Sequence, residues 1–175
     1  MIIVGSTNAD VGIQQGMDIL KSGGSAMDAV EATIRLVEDN PDDHTVGYHS
    51  YPNILGDLQL DASIMDGATL ETGAVAAMQG FREAISIARR VKDNLPHVLL
   101  AGEGAERFAA EMGFEKQADM LTAEIHEARN ELMNSEMTPE VFANLASSVE
   151  LHQWVTLATD PEKTRGTVNV LAQDH

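Results

Sequence analysis

The apolar positions divide the chain into segments of two periods. Ile2 to Val4 form a short apolar run that stops at Gly5 and predict a buried strand. After the polar, turn-like stretch 5–10, Val11, Ile13, Met17 and Leu20 recur near helical spacing. Lys21-Ser22-Gly23-Gly24 then supplies a basic last turn and a glycine stop. Ser25 is a good N-cap with Asp28 three residues on, so a second helix is expected over 26–38. Val30, Ile34 and Val37 mark its apolar face, with Asp28, Glu31, Arg35 and Glu38 as polar positions between them. Asn40-Pro41 ends it. Residues 42–57 read as one long irregular loop, which in a compact domain is functional or disordered; Tyr48 and Tyr51 both lie in it and favour order.

Leu58, Leu60, Ala62 and Ile64 alternate on one face of an expected strand over 58–66. Asp66-Gly67 makes a turn and 72–78 returns as a second strand, so an antiparallel sheet is expected. A helix over 83–94 carries Ile85, Ile87, Ala88 and Val91 and stops at Pro96. Residues 97–101 read as a buried strand, and 103–112 as a helix with Phe108 inward and Gly113 as its stop. Thr122 caps a helix to about 134, and Thr138-Pro139-Glu140 opens one that reaches toward Trp154. The polar run 158–165 reads as an exposed loop. Thr167, Val168, Val170, Leu171 and Ala172 suit a closing strand. The fold class is α+β.

Composition narrows the function classes. A chain of 175 residues suits one domain. With 43% hydrophobic but only 4% aromatic residues, the core is built from Ala, Val, Leu, Ile and Met. Nine Met and 14 Gly imply close packing with irregular gaps filled by thioethers. A net charge of −17 repels phosphates and anionic lipid, so neither nucleic acid nor a membrane is expected as a partner. The absence of Cys excludes disulfides and thiolate metal sites. The six His residues form no His-x-x-x-His pair, so no metal and no cofactor are expected. No apolar run approaches the roughly 20 residues of a membrane span, and the N-terminus lacks the pattern of a signal peptide. A cytoplasmic location is the expectation, with periplasm or secretion left open.

Gly102-Glu103-Gly104 follows a strand as a dinucleotide fingerprint does, but Arg107 stands where the third Gly belongs, so it reads as a helix start. Asp57, Asp61 and Asp66 fit period-2 and turn positions as well as a carboxylate pair. Near the end of the chain, Gly166 precedes Thr167 where a loop enters a strand. Gly tolerates strained backbone there. The Thr167 hydroxyl could attack the preceding carbonyl, and cleavage would free its α-amine to act as its own base. On spacing alone, an ordinary strand residue is the commoner explanation.

A series of short signatures changes that balance. Ser22-Gly23-Gly24-Ser25-Ala26-Met27-Asp28-Ala29-Val30-Glu31, Thr45-Val46-Gly47-Tyr48 and Leu60-Asp61-Ala62-Ser63-Ile64-Met65-Asp66-Gly67 resemble, in order, segments of the glycosylasparaginase family. That family also holds the isoaspartyl peptidases and plant-type asparaginases. Gly73-Ala74-Val75-Ala76, Ala88-Arg89 with Val91, and 97–103 continue the resemblance, which covers about 2–122 and resumes at Gly166.

The resemblance implies a four-layer αββα sandwich of the N-terminal-nucleophile type. It implies a precursor cut between Gly166 and Thr167, and hydrolysis of β-aspartyl amides with Thr167 as nucleophile. Thr45 matches a hydroxyl that helps orient the nucleophile. Residues 1–166 then form the first (α) subunit with an exposed linker at about 156–166, and 167–175 begin the second (β) subunit. The expected partners are the rest of that subunit, a second αβ unit making a dimer, and a small β-aspartyl amide substrate. About where glycosylasparaginases carry a Trp, this chain has Thr7, the candidate substrate contact. Gly166 before the Thr is as in isoaspartyl peptidases, so the choice between a glycosylasparaginase and an isoaspartyl peptidase/L-asparaginase stays open. The family's second subunit supplies the groups that grip the substrate's α-carboxylate and α-amine. This stretch by itself is therefore expected to be inactive. A non-catalytic truncated relative that only folds or associates is the other reading.

Overall fold

Ser25 opens the second helix by a reciprocal cap. Its Oγ accepts the Asp28 N–H at 3.1 Å while the Asp28 carboxylate accepts the Ser25 hydroxyl at 2.7 Å and its N–H at 3.3 Å. One turn earlier, Gly23 takes φ +89° to close the first helix, with the Gly24 N–H returning to the Ile19 carbonyl at 2.9 Å. The computed structural model describes residues 1–53, 56–135, 140 and 167–175. In chain order its elements are β1 (Ile2–Gly5), α1 (Asp10–Lys21), α2 (Ala26–Glu38), β2 (Leu60–Met65), β3 (Thr72–Met78), α3 (Ala84–Asn94), β4 (Leu99–Ala101), α4 (Glu103–Glu111), α5 (Ala123–Ser135) and β5 (Val170–Gln173). Short 3-10 turns occupy Thr7–Ala9 and Gly47–His49. The helix expected beyond Pro139, the linker at 156–166 and Gly166 lie outside the described residues.

Among the described residues the strands form two sheets. β1 and β5 pair antiparallel, Ile2 opposite Gln173 through Gly5 opposite Val170. The other sheet runs β2-β3-β4. Its β2–β3 hairpin is antiparallel as expected, but β3 and β4 are parallel, so the sheet is mixed. The cause is α3, which carries the chain back across the sheet and delivers β4 in the same direction as β3. β4 is also not a buried strand. It lies at the edge of its sheet, and Val98 and Leu99 are exposed despite the apolar run. The closing strand begins at Val170 rather than Thr167: the ladder with β1 stops at Gly5, and beyond it Asn169 gives its N–H to the Ser6 side chain instead of to a strand carbonyl.

Two carboxylates of the hairpin have structural work. A register shift falls between Leu60 and Ala62, and the Asp61 carboxylate beside it accepts the N–H of Ala77 at 2.7 Å. Ala77 sits at φ +49°, strained for a residue with a side chain. Asp66 accepts the Ala68 N–H at 2.8 Å within the connecting turn. Both carboxylates thus serve the bulge and the turn of the hairpin.

The core is mostly aliphatic, as the composition implied. Ala84, Ile85, Ile87, Ala88 and Val91 of α3 are buried together with Val75, Met78, Phe81 and Phe108. Ile3, Leu20, Ala29 and Ile34 belong to the same cluster from the side of α1, α2 and β1. α1 crosses α2 through Gly12 and Gly16. A Cβ at Gly12 would strike the Thr33 backbone, and one at Gly16 would strike the Thr33 hydroxyl and the end of Ile3. Thr33 is fully buried and donates to the Ala29 carbonyl at 2.8 Å, so it cannot swing aside freely.

Gly12→Ala therefore sets two effects against each other. Helix propensity gains about 1 kcal/mol, whereas overpacking against backbone costs roughly 1–3 kcal/mol. We expect a lower thermal midpoint. Gly104→Ala in α4, where an added Cβ meets nothing within 4 Å, serves as the control and should hold or raise the midpoint. Equal responses of the two variants would show that α1 and α2 do not need this close approach.

Candidate active site

The long loop after α2 is ordered by its own polar contacts. Gly47 takes φ +73° and lies so close to the backbone of Glu38 that any Cβ would collide with it. The Ser50 hydroxyl donates to the Gly47 carbonyl at 2.8 Å, and the His44 Nδ1 lies 3.0 Å from the His49 carbonyl. Arg82 covers the Tyr48 ring at 4.2 Å while pairing with Asp39 at 3.0 Å. Within this frame Asp43 and Thr45 form a tight Asx-type turn. The Asp43 Oδ1 accepts the Thr45 hydroxyl at 2.5 Å and the Thr45 N–H at 2.8 Å.

A hydrogen-bonded chain leads from there to the segment just before β5. The Asn8 Nδ2 donates to the Asp43 Oδ2 at 3.0 Å, and the Ser6 hydroxyl donates to the Asn8 Oδ1 at 2.8 Å. The Ser6 Oγ in turn accepts the Asn169 N–H at 3.0 Å, and the Asn169 carbonyl accepts the Ser6 N–H at 2.9 Å. The Ser6 Oγ also lies 3.5 Å from the Thr167 carbonyl. One hydroxyl proton cannot serve both acceptors well, and the 2.8 Å bond to Asn8 takes it. Burial pushes the Asp43 carboxyl up, but the bonds from Thr45 and Asn8 outweigh it and hold the carboxyl below its usual range.

Thr167 is thus on an exposed segment just before β5, tied to the strand-one turn through Asn169. Thr45 reaches the same segment through Asp43, Asn8 and Ser6. No hydrogen bond joins Thr45 and Thr167 directly among the described residues. Thr7 is exposed in the 3-10 turn between Ser6 and Asn8. Gly166 is outside the described residues. Sequence reasoning missed Ser6, Asn8 and Asp43. The only local signal was the Asp43-His44-Thr45 spacing of an Asx turn.

Thr167 also lines a cleft of about 710 Å³ between the two sheets. Met27, Val30 and Ile34 of α2 line it together with Leu60 and Ile64 of β2. Glu38 lines it too. It had read as one of the polar positions of α2, yet only 4% of it is exposed. Its Oε1 accepts the Ile85 N–H at the first turn of α3 at 2.8 Å. Its Oε2 is 3.5 Å from the Arg35 guanidinium, without a hydrogen bond between them. Burial dominates and pushes this carboxyl up to about 8.

The sequence profile of the family described as asparaginase matches residues 7–175. The chain belongs to the asparaginase family. Its relatives include the rat isoaspartyl peptidase/L-asparaginase, 48% identical over 57% of this chain and 29% of that protein. The N(4)-(β-N-acetylglucosaminyl)-L-asparaginase of Elizabethkingia miricola is 47% identical over 61% of this chain and 31% of its own length. The plant-type L-asparaginase of Pyrococcus abyssi is 42% identical over 86% of this chain and 47% of its own length. The chain spans less than half the length of each. In this asparaginase-family chain no described helix is long and apolar enough to cross a membrane. Among the described residues no His, Cys, Asp and Glu cluster could hold a metal ion.

Glu38 gives a pH prediction with a definite sign. Between the ordinary carboxylate range and about 8, the folded chain holds a proton on Glu38 that the unfolded chain has released. The stability contributed by the neutral carboxyl is full at low pH and is lost as pH rises toward that value. Glu38→Gln keeps an acceptor for the Ile85 N–H and cannot ionise. Its unfolding free energy should therefore fall less than the parent's between pH 5 and about 8. Parallel pH profiles from urea melts of the two proteins would contradict this account of Glu38.

Proposed function

We propose that the complete protein is an autoprocessed amidohydrolase that cleaves β-aspartyl amide bonds with Thr167 as its N-terminal nucleophile. The observation that supports this most is the position of Thr167: exposed, three residues ahead of β5, and among the residues that line the cleft. A nucleophile must be reachable, and this residue is exposed just ahead of β5.

The Thr167 hydroxyl attacks the Gly166 carbonyl, its proton passes to the departing nitrogen, and the peptide bond gives way to an ester. Water then hydrolyses the ester, leaving a Gly166 carboxylate and a free Thr167 α-amine. A chain-terminal α-amine ordinarily titrates at about 7.7–8.0. A useful fraction of it is therefore neutral near pH 7 and accepts the hydroxyl proton in turnover. The hydroxyl attacks the substrate's β-amide, the amine leaves with a proton, and water releases aspartate from the acyl-enzyme. Thr45 is assigned the orientation of the nucleophile.

The same reading assigns the missing parts. Leu171 is 75% exposed and Val4 55%, on the sheet face turned away from α1 and α2. An apolar sheet face of this kind needs cover. We assign that cover, and the widening of the β1–β5 sheet, to the rest of the second subunit. The result would be the αββα sandwich, with α1 and α2 outside one sheet and α3 and α4 outside the other. Pairing of two such αβ units is part of this proposal. Identities of 48% and 47% to the rat and Elizabethkingia proteins do not separate the leaving groups those names imply. The glycosylasparaginase reaction is the main reading and isoaspartyl peptidase/L-asparaginase the alternative.

Thr167→Ala in the complete precursor should give one uncut chain without amide hydrolysis. Thr167→Ser should keep part of both steps, since it retains the hydroxyl and loses the methyl that limits its rotamers. Thr45→Ala should slow both steps less than Thr167→Ala does. Residues 1–175 expressed alone should not hydrolyse β-aspartyl amides above background. Gel analysis and product assay decide, and normal processing of Thr167→Ala would place the nucleophile elsewhere.

A further inference from the structure

The order of donors and acceptors around Asp43 constrains what Thr45 can do. Thr45 has a single hydroxyl proton, and it points to the Asp43 Oδ1 at 2.5 Å. An ionised carboxylate has no proton to return, so the Thr45 oxygen is left with lone pairs only. The second Asp43 oxygen accepts the Asn8 Nδ2. That contact fixes the Asn8 amide with its Oδ1 toward Ser6, whose hydroxyl donates to it. Ser6, its proton spent, accepts the Asn169 N–H. Every donor in the chain therefore points toward Asp43, and both ends of the chain are fixed: Thr45 at one, the segment bearing Thr167 at the other.

We propose that Asp43 and Asn8 are positioning residues that hold Thr45 as an obligate hydrogen-bond acceptor and set it in register with the segment that carries Thr167. This deepens, and rests on, the reading of Thr167 as the nucleophile. An acceptor-only Thr45 can take an N–H of the free Thr167 amine or its hydroxyl proton, but cannot donate to either. Held through one of its own hydrogens, the amine keeps its lone pair for the Thr167 hydroxyl. A Thr45 free to rotate could instead donate to that lone pair and quench the base. The carboxylate thus acts at one remove, by deciding which way a hydroxyl points.

An exchange of the two polar residues tests this in the complete precursor. Asp43→Asn can still accept from Thr45 through its oxygen, but then turns an NH2 against the NH2 of Asn8. Asn8→Asp places two carboxylates together. Each single variant should process and turn over on the order of tenfold to hundredfold slower, the scale of one charge-assisted hydrogen bond. The loss should fall in kcat with KM held. Asn8→Asp combined with Asp43→Asn restores the donor order. The new amide accepts from Thr45 and donates to the new carboxylate, which still accepts from Ser6. This pair should recover most of the lost rate and the parent's pH profile. The thermal midpoint of each variant, measured alongside, separates a positioning role from a loss of fold: rescue of rate at equal midpoint supports the proposal. Parental rates in Asp43→Asn, or a double variant as slow as the worse single one, overturn it. Thr167→Ala run in parallel keeps the two claims apart. If it is cut normally, the nucleophile reading falls and this inference with it; if it stays uncut while Asp43→Asn processes normally, only the inference falls.

Discussion

Four antiparallel pairs, Ile2 with Gln173 through Gly5 with Val170, tie the two ends of the chain into one ladder. Closing so long a loop costs entropy that grows only slowly with its length, but the ladder's register fixes everything near it. A shift of one residue would turn Val170 away from the core and expose it where Leu171 now lies. It would also carry Asn169 out of reach of Ser6, whose main chain and hydroxyl hold both its N–H and its carbonyl. At the far end of β5 the Asp174 carboxylate accepts the Ala26 N–H at 2.9 Å, at the first turn of α2. A negative charge there complements the helix dipole, so the last strand is pinned at both ends.

From that anchor the two helical layers acquire their places. Ile3 on the inner face of β1 packs at Gly16, and the lack of side chains at Gly12 and Gly16 lets α2 approach α1 closely. α2 then meets α3 through Arg89, which bridges Asp28 at 2.7 Å and Glu31 at 2.5 Å, and through Glu38, which caps α3. Half-exposed ion pairs contribute little individually. The buried Glu38 contact matters more, since it fixes the first turn of α3 and lies directly behind Gly47. The loop that carries Asp43 and Thr45 is thus set against the α2–α3 junction on one side and the β1 turn on the other.

Much of the scaffold was legible in the sequence because its causes are local. The Ser25 cap, the Gly23 stop, the helical spacing of Ile85, Ala88 and Val91, and the Thr122 cap, which accepts the Ile125 N–H at 3.3 Å, each act within a few residues. The hairpin followed from period-2 alternation and an Asp-Gly turn. The parallel entry of β4 and its exposure did not, because Val98 and Leu99 have the same apolar character at an edge as in a sheet centre. Glu38 carried the opposite ambiguity: a charged residue at a polar helical position that α3 happens to cover. The site itself was half legible. Thr167 and Thr45 are candidates that the family resemblance singles out. The bond from Asn8 to Asp43 joins residues brought together only by the fold, and no local pattern announces it.

The account stands on Thr167 being the residue that a mature second chain begins with. Expression of the complete gene product, followed by intact mass and N-terminal sequencing of every chain recovered, measures this directly. The expected result is two chains, the second opening Thr167-Val168-Asn169. A single uncut chain that hydrolyses β-aspartyl amides, or a second chain that opens at another residue, would contradict it.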